Sequence, residues 1–310
     1  MGTLGCLCFE LAAMGEGMKL LAIKGGQLAV HADGDGVPLV FLHGGPGDTH
    51  HYMRRMSEPL WPQFRCIHYD QRGTGSSKLE RVDESTLSLD LFIDDLLAIR
   101  SDLGAEKLTL IGHSWGALLA LFFNIQYPAL VDKLALVSMG PLNSANEEIC
   151  TQRLLGALTD AEKNLWKKLR AVRNAALERK DIKLVNAADR ELMELRVKSW
   201  VFDPALRSEF LDEYFQDPPP DRFVNRTVYE SARNFFTWDK LNVVKNPIWI
   251  CYGEDDFAPV SQARQIAETL PNALVDWLPR CGHIPWLEQR DKFYAGLTRF
   301  LSTESLNLGH

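Results

Sequence analysis

Lys107-Leu-Thr-Leu-Ile111 runs straight into Gly112-His-Ser-Trp-Gly116, and Ala117-Leu-Leu-Ala-Leu-Phe-Phe-Asn-Ile-Gln126 follows without a break. The first run is short, apolar and β-prone, and the last is long enough and apolar enough for a buried helix. Between them lies a Gly-x-Ser-x-Gly turn. Glycine frequencies alone would produce that pentapeptide in about one chain in ten of this length, so its context carries the argument. A strand, a sharp turn and a helix together make a nucleophile elbow, which lifts a serine hydroxyl above the end of a sheet. Ser114 is the candidate nucleophile. The glycines on either side give a crowded, strained backbone room to turn.

Outward from this turn, short apolar strands alternate with helices. Met18 to Ala32 reads as two strands around Gly25-Gly26. Pro38-Leu-Val-Phe-Leu42 ends in His43-Gly-Gly-Pro-Gly47, and Arg65-Cys-Ile-His-Tyr69 ends in Asp70-Gln-Arg-Gly73. A helix is expected over Leu89 to Leu103 and a strand over Lys133-Leu-Ala-Leu-Val137. Such alternation predicts an α/β fold, a mostly parallel twisted sheet covered by helices on both faces.

The alternation stops after Gly140. From 141 to 239 the chain reads as amphipathic helices, with a capping box at Thr159-Asp-Ala-Glu162 and helix starts at Asp203-Pro204 and near Arg222, the last running to Trp238. This block is read as a helical lid inserted into a core formed by 18–140 and 240–310. Sheet character resumes at Pro247-Ile-Trp-Ile-Cys-Tyr-Gly253 and Ala273-Leu-Val-Asp-Trp-Leu278, and one closing helix is expected from Pro285 to Leu301. Residues 1–17 carry Glu10 within an apolar run and lack a basic leading region. They read as an N-terminal extension that need not be ordered, not as a secretory signal.

A serine nucleophile needs a base, and the base needs an orienting acid. In this architecture the acid and then the histidine follow the serine in the chain, each after a late strand. Asp256, in Gly253-Glu-Asp-Asp256, is the candidate acid, with Asp255 as the alternative, and His283 is the candidate base. The oxyanion donors are expected at Trp115 N–H, next to the nucleophile, and at Gly45 N–H in the glycine loop, with Gly44 beside it.

Composition bounds the remaining possibilities. The 310 residues carry a net charge of -7, against the basic footprint of a nucleic-acid binder. No run is apolar enough for a membrane span. Six cysteines lie apart, with no CxxC pair and no metal-ligand spacing, which suits a reducing, cytoplasmic setting. No metal or dinucleotide motif appears, so no cofactor is expected, and the partner is a small molecule or short peptide.

HGGPG at 43–47, DQRGTGSS at 70–77 and GHSWGALLA at 112–120 resemble the proline iminopeptidase branch of the α/β-hydrolase superfamily. The resemblance covers about 19–140 and 245–302. It implies a serine hydrolase with a helical lid, acting on small amides or esters, and members of the named activity release N-terminal proline. Related dehalogenases and epoxide hydrolases would carry Asp in place of Ser114. The lid departs from the branch. Its W-S-x-W-E motif is absent, and Ala232 stands where the second lid motif would bring a glutamate. Glu191, Glu194, Glu209, Glu213 and Glu230 are the carboxylates available instead. Gly44, Trp200, Tyr214 and Phe235, with Glu213, are the candidate substrate contacts. An apolar pocket would point to an esterase or lactonase, and carboxylates near Ser114 to a peptidase.

Overall fold

The computed structural model describes residues 17–270 and 272–303, so nearly all of the expected extension lies outside the described residues. β1 (Lys19–Ile23) and β2 (Gly26–Asp33) form an antiparallel hairpin, turned at Gly25 with φ +79°. After them come β3 (Val37–Leu42), α1 (His51–Ser57), β4 (Phe64–Tyr69), β5 (Lys78–Leu79), α2 (Leu89–Asp102), β6 (Leu108–His113), α3 (Trp115–Gln126) and β7 (Val131–Val137). Five helices follow: α4 (Ser144–Gly156), α5 (Asp160–Glu178), α6 (Ile182–Trp200), α7 (Arg207–Tyr214) and α8 (Arg222–Ala232). The chain then returns through β8 (Ile248–Gly253), α9 (Val260–Thr269), β9 (Ala273–Leu278), α10 (Pro285–Glu288) and α11 (Arg290–Leu301).

The sheet order is β1-β2-β4-β3-β6-β7-β8-β9, with the short β5 beside β2. Every pairing from β4 to β9 is parallel, and β1, β2 and β5 pair antiparallel. Alternate strand residues feed two cores. Val40 and Leu42 join one with Phe92, Leu119 and Ile266, and Leu39 and Phe41 join the other with Met53, Phe293 and Phe300. Central β6 is buried along its whole length, which is why its sequence is a continuous apolar run.

The helical block between β7 and β8 has a small core of its own, with Leu154, Leu158, Trp166, Leu169, Leu192 and Leu195. Its α5 opens with the expected capping box at Thr159 and Glu162. Two expected helices are shorter than the sequence suggests. The one from Arg222 stops at Ala232, ahead of a 3-10 turn over Trp238–Val243. The closing helix is broken at Gln289, with φ -134° and ψ 48°, because the Glu288 carboxylate turns back to accept N–H bonds from Gly282 and Phe202. The sheet ends its parallel strands on one edge, and the loops after β3, β6, β8 and β9 meet there, where open α/β sheets place their sites.

Candidate active site

Ser114 sits between β6 and α3 at φ 54° and ψ -118°, a backbone region that disfavours side chains. Its N–H donates to Val137 C=O at 3.0 Å and its own C=O accepts from Gly140 N–H at 3.1 Å, so the strand ends on both sides hold the strained residue. The flanking glycines have no room for a side chain. A Cβ on Gly116 would lie 1.9 Å from Leu42 O, and one on Gly112 would lie 2.3 Å from Gly116 O.

His283, fully buried after β9, has its Nδ1 3.0 Å from both carboxylate oxygens of Asp256. The carboxylate accepts the Nδ1 proton, which leaves Nε2 as the bare acceptor nitrogen. That Nε2 is buried without a hydrogen-bond partner, and His283 and Ser114 line the same cavity. Asp256 is fully buried and its Oδ1 also accepts from Ala258 N–H at 2.9 Å, whereas Asp255 is exposed and takes no part.

Trp115 N–H opens α3 and has no intrahelical acceptor. Across the cavity mouth, Gly44 N–H donates to Tyr52 Oη, while Gly45 holds φ +108°. The glycine loop packs against the helical block: Asp221 N–H donates to Gly47 C=O at 2.8 Å, and a Cβ on Gly47 would lie 2.4 Å from Asp221 O. Asn225 Nδ2 also donates to Pro46 C=O at 2.8 Å.

Three polar residues to which the sequence assigned no role, Gln71 and Arg72 of the DQRG segment and Tyr52, tie these parts together. Gln71 donates from its amide to His43 C=O at 2.8 Å and accepts from Trp115 Nε1 at 2.9 Å. Its backbone N–H donates to His43 Nε2 at 3.0 Å, so the His43 proton sits on Nδ1, toward Gly44 C=O. Burial lowers the His43 pKa to about 4, and the ring is neutral at neutral pH. Tyr52 donates to His113 Nδ1 at 3.0 Å, and His113 Nε2 donates to His283 C=O at 3.0 Å. Arg72 of the DQRG segment is buried and bonds both oxygens of Asp95, whose pKa burial raises to about 6.

The cavity measures about 870 Å³. Gly44, Gly45, Trp200, Tyr214 and Glu213 line it as expected, and so do Glu209 and Glu230. Phe235 does not. Its ring packs on Phe122 at 4.8 Å, because the chain leaves α8 earlier than the helix pattern indicated. Glu191 and Glu194 also lie outside the lining. Among the described residues no cluster of His, Cys, Asp or Glu could hold a metal ion, and no helix is long and apolar enough to cross a membrane. The four described cysteines are free and buried, and Cys281 packs in a core instead of lining the site.

A family model described as "Alpha/beta hydrolase family" matches residues 39–296. The chain belongs to the alpha/beta hydrolase family. Among curated proteins it is 27% identical to the proline iminopeptidase of Lactobacillus delbrueckii subsp. lactis, over 87% of this chain and 92% of that one. Among solved structures it superposes on an esterase from Exiguobacterium antarcticum with a TM-score of 0.70 at 17% identity, covering 92% of this chain and 100% of that one. The proline iminopeptidase of Mycobacterium smegmatis gives a TM-score of 0.63 at 22% identity, covering 92% and 97%. The chain is therefore an alpha/beta hydrolase that resembles the proline iminopeptidase branch, and its solved neighbours share the fold across different activities.

Proposed function

We propose that the protein is a serine hydrolase that cleaves a small amide or ester through an acyl-enzyme. The observation that carries this reading is the buried, unpartnered His283 Nε2 in the cavity that Ser114 lines, with Nδ1 held by Asp256. His283 Nε2 takes the Ser114 proton as Oγ attacks the substrate carbonyl. The oxyanion accepts from Trp115 N–H and Gly45 N–H, and loss of one such donor costs about 3 kcal/mol of transition-state stabilisation. His283 then passes the proton to the leaving group, and water attacks the acyl-serine by the reverse route. The α4–α8 block acts as the lid, and its α6 and α7 residues Trp200, Glu213 and Tyr214 face the acyl or amino side of the substrate.

Release of an N-terminal proline or other aminoacyl group is the reading supported by the curated relatives. Carboxylesterase or lactonase activity is the second reading, favoured by the partial pairing of two cavity carboxylates. Glu213 lies 3.4 Å from Arg55, and Glu230 lies 3.2 Å from Arg233, so each has a cation beside it before any substrate ammonium arrives. A fluorophosphonate probe should label the wild-type protein and not Ser114→Ala, whose turnover should fall by at least ~10⁴-fold. Folded wild-type protein that resists labelling overturns the enzyme reading and leaves a binding protein. Comparing prolyl anilides with p-nitrophenyl esters separates the two substrate classes.

A further inference from the structure

Arg196 projects from α6 into the cavity and makes no hydrogen bond or ion pair with any described residue. It rests on aromatic rings instead, with its guanidinium carbon 5.7 Å from the Trp166 ring centre and 5.6 Å from that of Trp200. Burial lowers its pKa to about 10, which still leaves it cationic at neutral pH. A guanidinium that rests its faces on indoles and offers its N–H groups to a cavity is the arrangement expected of a group whose partner arrives with a ligand.

The neighbouring charges do not supply that partner. Arg173 and Arg222 both bond Asp189, at 3.3 and 2.7 Å, so one carboxylate serves two guanidiniums there. Arg196 stands next to them, and Asp48, which also feels both Arg196 and Arg222, is pushed toward its neutral form by burial. Among Arg173, Arg196 and Arg222, Arg196 is the one without a carboxylate of its own among the described residues. Arg55 is already neutralised by a two-pronged pair with Asp217, and the Glu213 beside it is half exposed, where solvent screens it. Glu147, near Tyr229 and Cys150, also lines the cavity, as do Glu178 and Glu209, and these carboxylates are the competing charges that would favour a cationic substrate.

Position ties Arg196 to the chemistry. The Trp200 ring that supports it is 5.0 Å from the His283 ring, and Trp200 C=O accepts the His283 N–H at 2.6 Å. The guanidinium therefore stands one indole away from the reacting centre. We infer that the substrate carries a carboxylate on a short chain beyond the scissile carbonyl, and that Arg196 binds it. This rests on Ser114 acting as proposed above. One cation without a carboxylate of its own suits a monoanion, and a guanidinium with its donors unspent fits the two oxygens of a carboxylate.

The test uses three p-nitrophenyl esters of matched length, ending in a carboxylate (the glutaric half-ester), a methyl group (the valerate) and an ammonium (the 5-aminovalerate). Wild-type protein should favour the carboxylate over the methyl ester in kcat/KM. Arg196→Gln should lower that ratio about 30-fold, the value of a charged hydrogen bond, and Arg196→Lys should restore part of it. Rates are taken after subtracting release in the presence of Ser114→Ala, which removes intramolecular cyclisation of the carboxylate and amino esters, and because the readout is then a ratio, loss of folded protein cancels. If Arg196→Gln yields none, Arg196→Lys and the wild-type preference still decide. A wild-type preference for the neutral ester, or a ratio that Arg196→Gln leaves unchanged, overturns the inference. So does a preference for the ammonium ester, which would assign recognition to the cavity carboxylates. Failure to hydrolyse any of the three, with no fluorophosphonate labelling, overturns the serine-hydrolase reading and this inference with it.

Discussion

Among single side chains, Gln71 joins the two segments proposed to supply the oxyanion donors, the glycine loop through His43 C=O and the elbow through the Trp115 indole. It touches neither nucleophile nor base, so it is a positioning residue. Gln71→Leu should lower kcat about 10- to 100-fold with little change in KM, since the donors matter most once the oxyanion forms. It should also cost about 1–3 kcal/mol in denaturant unfolding, because the Trp115 Nε1–H is left buried and unpaired. Equal losses in kcat and 1/KM would contradict the positioning role. At this scale the sequence was partly legible. The meeting of Ser114, Asp256 and His283 at one end of the sheet could be anticipated because each follows a strand in a fixed order. The hydrogen-bonding roles of Gln71 and Tyr52 could not, because their partners lie 28 to 61 positions away.

Among elements, the core strands were legible because parallel strands buried on both faces leave continuous apolar runs, as β6 and β8 do. The helical block was legible as helices but not as a charge pattern, since Arg55 meets Asp217 and Arg222 meets Asp189 only after folding. The broken closing helix has the same origin. Glu288 leaves the helix pattern to bridge Gly282, next to His283, and Phe202, at the end of α6. Burial raises its pKa to about 7 against an unfolded value of 4.5. The folded state thus binds an extra proton between those values, and this group's contribution to stability declines as pH rises from about 4.5 to 7. In unfolding titrations, the stability of Glu288→Gln relative to wild type should rise across that window and level off above it. A flat difference would show that Glu288 is ionised throughout.

For the whole molecule, the opposite pH dependence should dominate. Burial lowers His31 and His43 to about 4, and His51, His68 and His113 are also shifted down by burial. Each histidine is neutral in the folded state and takes up a proton readily only on unfolding, so their stability is intact above pH 6.5 and lost as pH falls toward 4. Thermal unfolding followed from pH 7.5 to 4.5 should show the midpoint falling steeply below about 6.5, with proton uptake on unfolding. A constant midpoint over that range would contradict the buried-neutral assignment. The cluster of Trp200, Phe257 and His283, with the indole stacked on Phe257 and the imidazole tilted against both rings, has another consequence. Indole emission is quenched by a nearby imidazolium and shifts in wavelength as water leaves its surroundings. Trp166, Trp200 and Trp286 all border the cavity, so the protein carries a built-in optical reporter at the place where a substrate would sit. Filling, emptying or protonating that space would register in its own fluorescence, without any added dye.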